Sequence, residues 1–518
     1  MTNRAGLPVA VCALLLLLCG CAHAQTLGAP NIVLLVTDDQ GYGDLSVTGH
    51  PTIRTPNIDR LANEGTRFTQ FLAGNQVCTP SRAALLTGRL PVRSGMTGTI
   101  RGNVYSPALP TGLPHDETTI AEALKAAGTP YATAMVGKWH LGINRENNTD
   151  GWYLPTSHGF DSWYGTPMSN GNYCGTATEN KPESWEKCFM MRDANVVQQP
   201  VVINTIPNRL QDEAFRFLRD NAGVRPFFLY YAFLQPHRPL FASPERVGVS
   251  RRGAYGDAVE DVDYAVGQLV DLLGELGQLD NTLIVYTSDN GGWLEVEEEG
   301  GSNGPLRGGK GQDYEGGVRV PGIVWGPGLG VQAQVSQAIV SAFDVLPTIL
   351  DYAGVAFPPP SATNLTFDGR SVRPILEGAE DDAVTADSRV IFHYCGYNLR
   401  AMRYGPWKAH FKTPRITNEV ENTCTEFAGE SINACMCLDV ANYQHDPPLL
   451  YNLDVDLKER LAIDTATNPE AAAALAYILQ ARAAHEAELV PGETQVDRLP
   501  VPELQPCCNP PTCRCEEF

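Results

Sequence analysis

The sequence is short of positive charge: 38 lysines and arginines face 59 aspartates and glutamates, a formal net charge of −21 over 518 residues. Such a balance argues against a nucleic-acid partner, which needs a basic face. After the first two dozen residues there is no apolar run near the ~20 residues that cross a bilayer, so no stable membrane span is expected. There is no internal repeat. No histidine lies near the terminal Cys507-Cys508 and Cys513-x-Cys515, which favours disulfides over a zinc knuckle.

What is present describes a large secreted protein. With 43% hydrophobic and 19% charged residues, the chain can bury a sizeable core and form two or three domain-sized units. Residues 1–24 carry Arg4, an apolar block from Val9 to Leu18, and Ala22-His23-Ala24, the layout of a secretory signal peptide with its cleavage site. The expected destination is the secretory pathway, in an extracellular or lysosome-like compartment. A second reading is lipid anchoring at Cys21, within Leu18-Cys19-Gly20-Cys21. Of the 14 cysteines, Cys12, Cys19 and Cys21 belong to this leader, which leaves an odd number. With Cys78 set aside, Cys174, Cys188, Cys395, Cys424, Cys435, Cys437, Cys507, Cys508, Cys513 and Cys515 could all pair in an oxidising compartment. Asn147 and Asn364 open N-x-T sequons, candidate glycosylation sites in a eukaryotic host.

Asn31 to Thr37 is a continuous β-branched and aliphatic run, as expected of a strand covered on both faces in a parallel sheet. Similar runs recur at Ala132–Val136, Pro226–Ala232, Thr282–Thr287 and Val320–Trp325. Helical patterns separate them at Thr118–Ala127, Ala254–Leu276 and Ser341–Ala353. This alternation predicts an α/β fold with a large, mainly parallel but mixed sheet flanked by helices over residues 25–386. From about Asp387 the pattern changes to short strands at Val390–Tyr394, Leu399–Tyr404, Trp407–Lys412 and Leu449–Leu453, then an alanine-rich helix from Pro469 to about Leu489. Residues 387–518 are therefore read as a smaller antiparallel sheet with a helix laid on it and a cysteine-rich tail.

Chemistry-bearing residues fall at strand ends, where open α/β sheets place ligands. Asp38 and Asp39 follow the first strand, and Asp289 and Asn290 follow the fourth. Adjacent carboxylates repel unless a cation joins them, and an oxygen-rich set without histidine suits Ca²⁺ or Mg²⁺ rather than zinc. Lys138 and His140 follow another strand and His237 a further one, while Lys310 sits in a glycine-rich loop. The acidic run Glu295 to Glu299 reads as a solvated loop. Cys78 opens Cys78-Thr79-Pro80-Ser81-Arg82, where Pro80 suits the first turn of a helix whose N-terminal N–H groups favour anions.

The Cys-x-Pro-Ser-Arg run resembles at every defining position the type I sulfatase signature. The order DDxGxGD, CTPSR…LTGR, GKWHLG, HGFD, PFFLYYA…H, SDNG, GKG…YEGGVR is similar to the sulfatases of the alkaline phosphatase superfamily, most like the arylsulfatase A type, across the mature chain. The resemblance implies that Cys78 is oxidised to formylglycine by a formylglycine-generating enzyme. It further implies that Asp38, Asp39, Asp289, Asn290 and the modified Cys78 bind one divalent cation, with Ca²⁺ preferred and Mg²⁺ as alternative. Arg82, Lys138, His140, Ser169, His237 and Lys310 would then surround a sulfate. In the implied reaction, Asp289 activates one hydroxyl of the aldehyde hydrate to attack sulfur while His237 or Lys310 helps the alcohol leave. His140 deprotonates the other hydroxyl so that sulfate is expelled, Lys138 orients the hydroxyls, and Arg82 holds the modified residue and the carboxylates.

The chain departs from the family pattern where Thr129-Pro130 separates Gly128 from Tyr131, at Gly309, where the animal enzyme has a disulfide cysteine, and in the histidine-free stretch from Lys412 to Glu421. These departures concern the substrate more than the reaction. Sulfate esters of aryl, carbohydrate or glycolipid alcohols are the expected substrates, and the oligomeric state, including a homo-oligomer, stays open. The rival readings are a phosphonate or phosphate monoester hydrolase on the same scaffold, and an inactive binding protein that keeps the scaffold.

Overall fold

A computed structural model describes residues 28–99, 103–170, 188–359, 364–379, 389–414 and 442–504, together with Met1, Ser184, Trp185, Ala362 and Pro506. The leader, including Cys21, lies outside the described residues, as do Cys174, Cys424, Cys435, Cys437, Cys507, Cys508, Cys513 and Cys515. Among the described residues, no helix is long and apolar enough to cross a membrane. Cys188 and Cys395 are disulfide-bonded, whereas Cys78 is free.

Among the described residues, twelve strands precede the C-terminal sheet: β1 (Asn31–Thr37), β2 (Thr66–Leu72), β3 (Ala132–Lys138), β4 (Ser162–Thr166), β5 (Ser184–Trp185), β6 (Met190–Arg192), β7 (Asn195–Gln198), β8 (Val201–Val202), β9 (Phe227–Ala232), β10 (Thr282–Ser288), β11 (Arg319–Trp325) and β12 (Gln334–Ser341). Ten of them form one sheet in the order β12-β2-β11-β10-β1-β9-β3-β4-β6-β7, and β5 pairs with β8. The stretch β10-β1-β9-β3-β4 is parallel throughout. The run Val320–Trp325, read from its apolar continuity as one more member of the parallel set, instead lies antiparallel to both β10 and β2. Burial on two faces gives a strand the same composition in either direction, so the pattern could not distinguish them.

Alternation along the strands explains why both faces are apolar. Ile32, Leu34 and Val36 join one core cluster with Phe228 and Tyr230, while Val33 and Leu35 join a second with Phe227, Leu229 and Tyr231. Successive side chains of a strand point to opposite faces, so each cluster is one side of the sheet. Helices Cys78–Thr87, Ile120–Lys125 and Val345–Tyr352 supply Leu85, Leu86, Ile120, Leu124, Leu346 and Ile349 to the first. Helices Pro56–Glu64, Ile206–Asn221 and Ala254–Glu275 supply Ile58, Leu61, Leu210, Leu218, Val266 and Leu269 to the second. The Ile120 helix starts at a capping box in which Thr119 Oγ1 accepts from Glu122 N at 3.2 Å and Thr119 N donates to Glu122 Oε2 at 2.8 Å.

The C-terminal sheet has the antiparallel order β13 (Val390–Cys395), β14 (Asn398–Tyr404), β15 (Trp407–Pro414) and β16 (Asn442–Asn452). Helix Pro469–Glu488 covers it, with Ala471, Ala474, Leu475 and Ile478 packed against Met402, Ala409 and Phe411. A buried charge network fastens this sheet to the short helix Glu315–Val318 that precedes β11. Glu315 accepts from Lys408 Nζ at 2.9 Å, from Arg403 Nη1 at 3.2 Å and from Arg319 Nε at 2.6 Å. Glu459 accepts from the Glu315 backbone N–H at 2.7 Å and lies 2.6 Å from His410 Nε2.

Burial alone would raise the Glu315 carboxyl, but Arg319, Lys408 and Arg403 overturn that and hold it well below the ordinary carboxylate range. A carboxyl depressed on folding contributes stability that is fully present above its unfolded value, about 4.3, and is lost as the pH falls toward the folded value. Glu315→Gln is therefore expected to cost about 3–5 kcal/mol near neutral pH, because it leaves three buried cations without their shared anion. The deficit should shrink below about pH 4, where the wild-type carboxyl begins to lose this advantage. Denaturation curves of both proteins across that range are the check. An equal deficit at pH 7 and at the acid end would assign the loss to shape rather than charge.

Candidate active site

Four neighbouring parallel strands, β10, β1, β9 and β3, bring their carboxyl ends to one edge of the sheet. Asp38 and Asp39 follow β1, Asp289 and Asn290 follow β10, His237 comes after β9, and β3 ends in Lys138 with His140 close behind. Two of these residues sit in the left-handed backbone region, Asp39 at φ 63° and His140 at φ 62°. Residues other than glycine rarely adopt it, and when they do the strain clusters at functional sites. Gly137, at φ 103°, lets β3 approach β9 here, since a Cβ would meet the Ala232 carbonyl oxygen at 1.8 Å.

Cys78 is the first residue of helix Cys78–Thr87, which is entered from an extended Val77, closed by Gly88 at φ 66°, and buried at every position. A helix buried all round needs no polar face, which accounts for its Ala83-Ala84-Leu85-Leu86 centre. One turn in, Arg82 donates from Nε to Asp289 Oδ2 at 3.0 Å and from Nη1 to the Lys138 carbonyl at 3.2 Å; its Nη2 lies 2.8 Å from Asp289 and 3.6 Å from Asp38. Cys78 Sγ lies 3.6 Å from Asp38 Oδ1. Lys138 Nζ donates to Asp38 Oδ2 at 2.7 Å and reaches Ser169 Oγ at 3.4 Å. Lys310 Nζ donates to Asp39 Oδ2 at 2.7 Å, and His237 Nε2 lies 3.5 Å from both that oxygen and Ser169 Oγ. His140 is tied in through Thr79, whose hydroxyl donates to the His140 carbonyl at 3.0 Å.

Every residue expected at the reaction centre thus joins one connected set. The sequon residues Asn147 and Asn364 are exposed and outside this set.

The charges are almost wholly out of water: Asp38, Arg82 and Lys138 are 0% exposed, Asp289 2%, Asp39 3% and Lys310 4%. Burial raises the carboxyls of Asp38 and Asp39. The neighbouring cations, Lys138 first for Asp38 and Lys310 first for Asp39, outweigh it and hold both below the usual range. For Lys310 the balance also ends on the charged side, because the carboxylate of Asp39, joined by that of Asp38, more than offsets its burial. Burial pushes the Cys78 thiol up, against the pull of Lys138 and Lys310, so the unmodified side chain is a protonated thiol and a poor nucleophile. Burial, then Lys138 and Arg82, push His140 well below the ordinary imidazole range. Its Nε2 lies 3.1 Å from the Tyr105 carbonyl, an acceptor only, so the ring proton sits there. His140 Nδ1 is buried with its lone pair unpartnered among the described residues.

The donors are compatible with a metal ion. Ligand atoms of Asp38, Asp39, Cys78 and His237 all lie within 4.8 Å of one another. Asn290 donates through Nδ2 to Asp39 Oδ1 at 2.8 Å, and its Oδ1 is buried without a hydrogen-bond partner among the described residues. An acceptor oxygen lacking a donor suits a metal ligand. His237, read from the sequence as a residue of the sulfate and the departing alcohol, also stands within this cluster, and the Asp289 carboxylate is engaged by Arg82, as that reading had it, and by the Asp39 backbone N–H at 3.1 Å.

Supporting residues escaped the sequence reading. Asn303 clamps the loops bearing Asn290 and Lys310: its Oδ1 accepts from Gly292 N at 2.8 Å and its Nδ2 donates to the Gly308 carbonyl at 2.8 Å. Asp44 ties the Asp38 loop to Tyr255 Oη at 2.6 Å and to Ser302 N at 2.7 Å. Nothing in Gly301-Ser302-Asn303-Gly304 distinguishes such a clamp from an ordinary turn, so no sequence signal could have found it.

Comparison with known proteins agrees with this geometry. The sulfatase family model matches residues 30–355, and a second model, the C-terminal region of aryl-sulfatase, matches residues 386–515. The chain is 40% identical over 495 residues to an arylsulfatase of Hemicentrotus pulcherrimus, an alignment covering 94% of this chain and 86% of that protein. It is 36% identical over 571 residues to the steryl-sulfatase of Homo sapiens, covering 96% and 95% respectively. Among solved structures, the PsFucS1 sulfatase of a Pseudoalteromonas species superposes with a TM-score of 0.74 at 30% identity, over 90% of this chain and 92% of that one. Likeness of this extent, in sequence and in fold, means that the chain belongs to the sulfatase family and is a sulfuric ester hydrolase.

Proposed function

We propose that the protein hydrolyses sulfate monoesters through a formylglycine made from Cys78, in a site completed by one divalent cation, Ca²⁺ in preference to Mg²⁺. The observation that carries this reading is the position of Cys78. Its Sγ, which marks where the hydroxyls of the hydrated aldehyde would stand, lies among buried carboxylates and cations at the start of a helix. Asp38, Asp39, Asp289 and Asn290 would hold the cation with the modified residue, and His237 is near enough to join them. Bound there, the cation would supply Lewis-acid neutralisation of the charge growing on the sulfuryl oxygens. The hydrated aldehyde supplies two hydroxyls: one takes the sulfuryl group as the S–O bond to the alcohol breaks, and the other, once deprotonated, expels sulfate by C–O cleavage and restores the aldehyde.

The chain's own residues divide the remaining work. Arg82 fixes Asp289 through two short contacts and stands 3.6 Å from Asp38, so the carboxylates meet the reacting centre in one geometry. Lys138 and Ser169 orient the hydroxyls and the sulfuryl oxygens. Asp289 takes the proton of the attacking hydroxyl, and Lys310 or His237 gives one to the departing alcohol oxygen. The free Nδ1 of neutral His140 takes the proton of the second hydroxyl. A formylglycine-generating enzyme is the maturation partner. The leader sequence and the exposed Asn147 and Asn364 support passage through the secretory pathway, with glycosylation in a eukaryotic host.

Cys78→Ser, expressed in a host able to modify the wild type, should transfer sulfate to the serine and then stop, because a serine ester has no second hydroxyl to expel it. Counting alcohol released per enzyme is the check, and wild-type multiple turnover would end the mechanism. His140→Ala should keep a first-turnover burst of alcohol and then slow by about 10²–10⁴-fold, the worth of a general base. A slow burst with unchanged steady-state partitioning would move His140 to the first step.

A further inference from the structure

Trp293 lies directly beyond the catalytic loop that carries Asp289 and Asn290. Lys310 Nζ sits 4.5 Å from the centroid of its indole, and the His237 ring is 5.9 Å away, centroid to centroid, tilted by 54°. A single aromatic ring therefore packs on both groups assigned to the departing alcohol. Its backbone neighbourhood is fixed, because the Gly292 carbonyl accepts from Lys310 N at 3.1 Å and Gly292 N donates to Asn303. Lys310 and His237 are buried, whereas Trp293 is only half-buried, so it reaches further toward solvent than the two groups it packs on. The chain then runs into the helical turns Leu294–Glu299, where Glu297, Glu298 and Glu299 are exposed. Arg238 Nε pairs with Glu299 Oε2 at 2.9 Å, and Glu297 and Glu298 are exposed carboxylates a short way along the chain from Trp293.

We propose that Trp293 is a specificity-determining residue whose indole is the stacking platform for the alcohol part of the substrate, selecting sulfate esters whose leaving group has a flat face and no further negative charge. The inference rests on the reaction proposed above and adds the substrate class. An alcohol oxygen within hydrogen-bond reach of Lys310 Nζ or His237 Nε2 brings its attached carbon skeleton within a ring's width of the indole. A planar skeleton gains an offset stack there, and a compact or branched one gains little. A second anionic group on the same skeleton would lie toward Glu297 and Glu298 and be repelled.

The test is steady-state kinetics with 2-naphthyl sulfate, alongside the inhibition constant of inorganic sulfate, which reads the anion pocket without the alcohol. Trp293→Ala should raise KM for 2-naphthyl sulfate about three- to tenfold, the worth of one aromatic stack, and leave the sulfate inhibition constant unchanged. Trp293→Phe should restore most of the loss. A naphthyl sulfate bearing a carboxylate should show a higher wild-type KM than 2-naphthyl sulfate, and the double variant Glu297→Gln, Glu298→Gln should narrow that gap. Equal weakening of 2-naphthyl sulfate and inorganic sulfate in Trp293→Ala would show that the indole only positions Lys310 and His237, overturning the proposal. So would a failure of phenylalanine to restore KM, or a carboxylate penalty unmoved by the double variant. Wild-type enzyme that releases sulfate from a carbohydrate sulfate but from neither naphthyl ester would likewise overturn the proposal, whereas only release from none of the three would count against the reaction itself.

Discussion

The meeting of Asp38, Asp39 and Asp289 with Arg82, Lys138 and Lys310, all but sealed from water, is the constraint around which the structure is arranged. Moving one such ion from water into a protein interior costs several kcal/mol unless a partner and hydrogen bonds replace its hydration. Six of them in one place are tolerable only because each is matched within hydrogen-bond distance. The match requires that residues from opposite ends of the catalytic region arrive together, as Asp39 does with Lys310 and Arg82 with Asp289. The parallel ladder β10-β1-β9-β3 does this by ending four strands on one edge, and the sealed helix from Cys78 brings Arg82 in from the side. Strain at Asp39 and His140 is tolerated for the same end.

This balance has a chemical consequence. Three carboxylates and three cations leave the site near neutrality, and a bound divalent cation would leave it positive by about two charges. A sulfate ester is anionic, so an otherwise acidic protein would have a local well for its substrate, in a low-dielectric setting where fixed charges act strongly on a developing transition state. His140 and Lys310 divide roles through their surroundings. One is kept neutral with a free ring nitrogen, and the other is kept charged by its carboxylate neighbour. Residues outside the reaction centre then become structural supports of chemistry: Asn303 for the Lys310 loop, and the Glu315 network for the contact with the C-terminal sheet.

Much of this was legible in the sequence, where local pattern and chemistry coincide. Asp38-Asp39, Lys138-x-His140 and Asp289-Asn290 each sit immediately after an apolar run, so a strand-end site could be read from one dimension. The C-terminal change from long runs to short strands was equally plain. Strand direction was not legible, because Val320–Trp325 is as apolar in an antiparallel neighbour pair as in a parallel one. β2 was also missed: Thr-Arg-Phe-Thr-Gln-Phe-Leu is only partly buried, and its place between β11 and β12 is set by pairing rather than composition. Long-range electrostatics left no trace either, since Glu315, Arg403, Lys408 and Glu459 are ordinary charged residues until the sheets close on them. Trp293 reads as one more aromatic until Lys310 is seen against its face.

The central claim is that Cys78, held in this cage of charge, does its work as an aldehyde and not as a thiol. Mass analysis of the tryptic peptide containing Cys78, taken from active protein made in its native source, tests it most directly. The peptide should carry formylglycine, detectable as an aldehyde that reacts with hydrazide reagents. A free, alkylatable thiol at Cys78 in fully active enzyme would contradict the account.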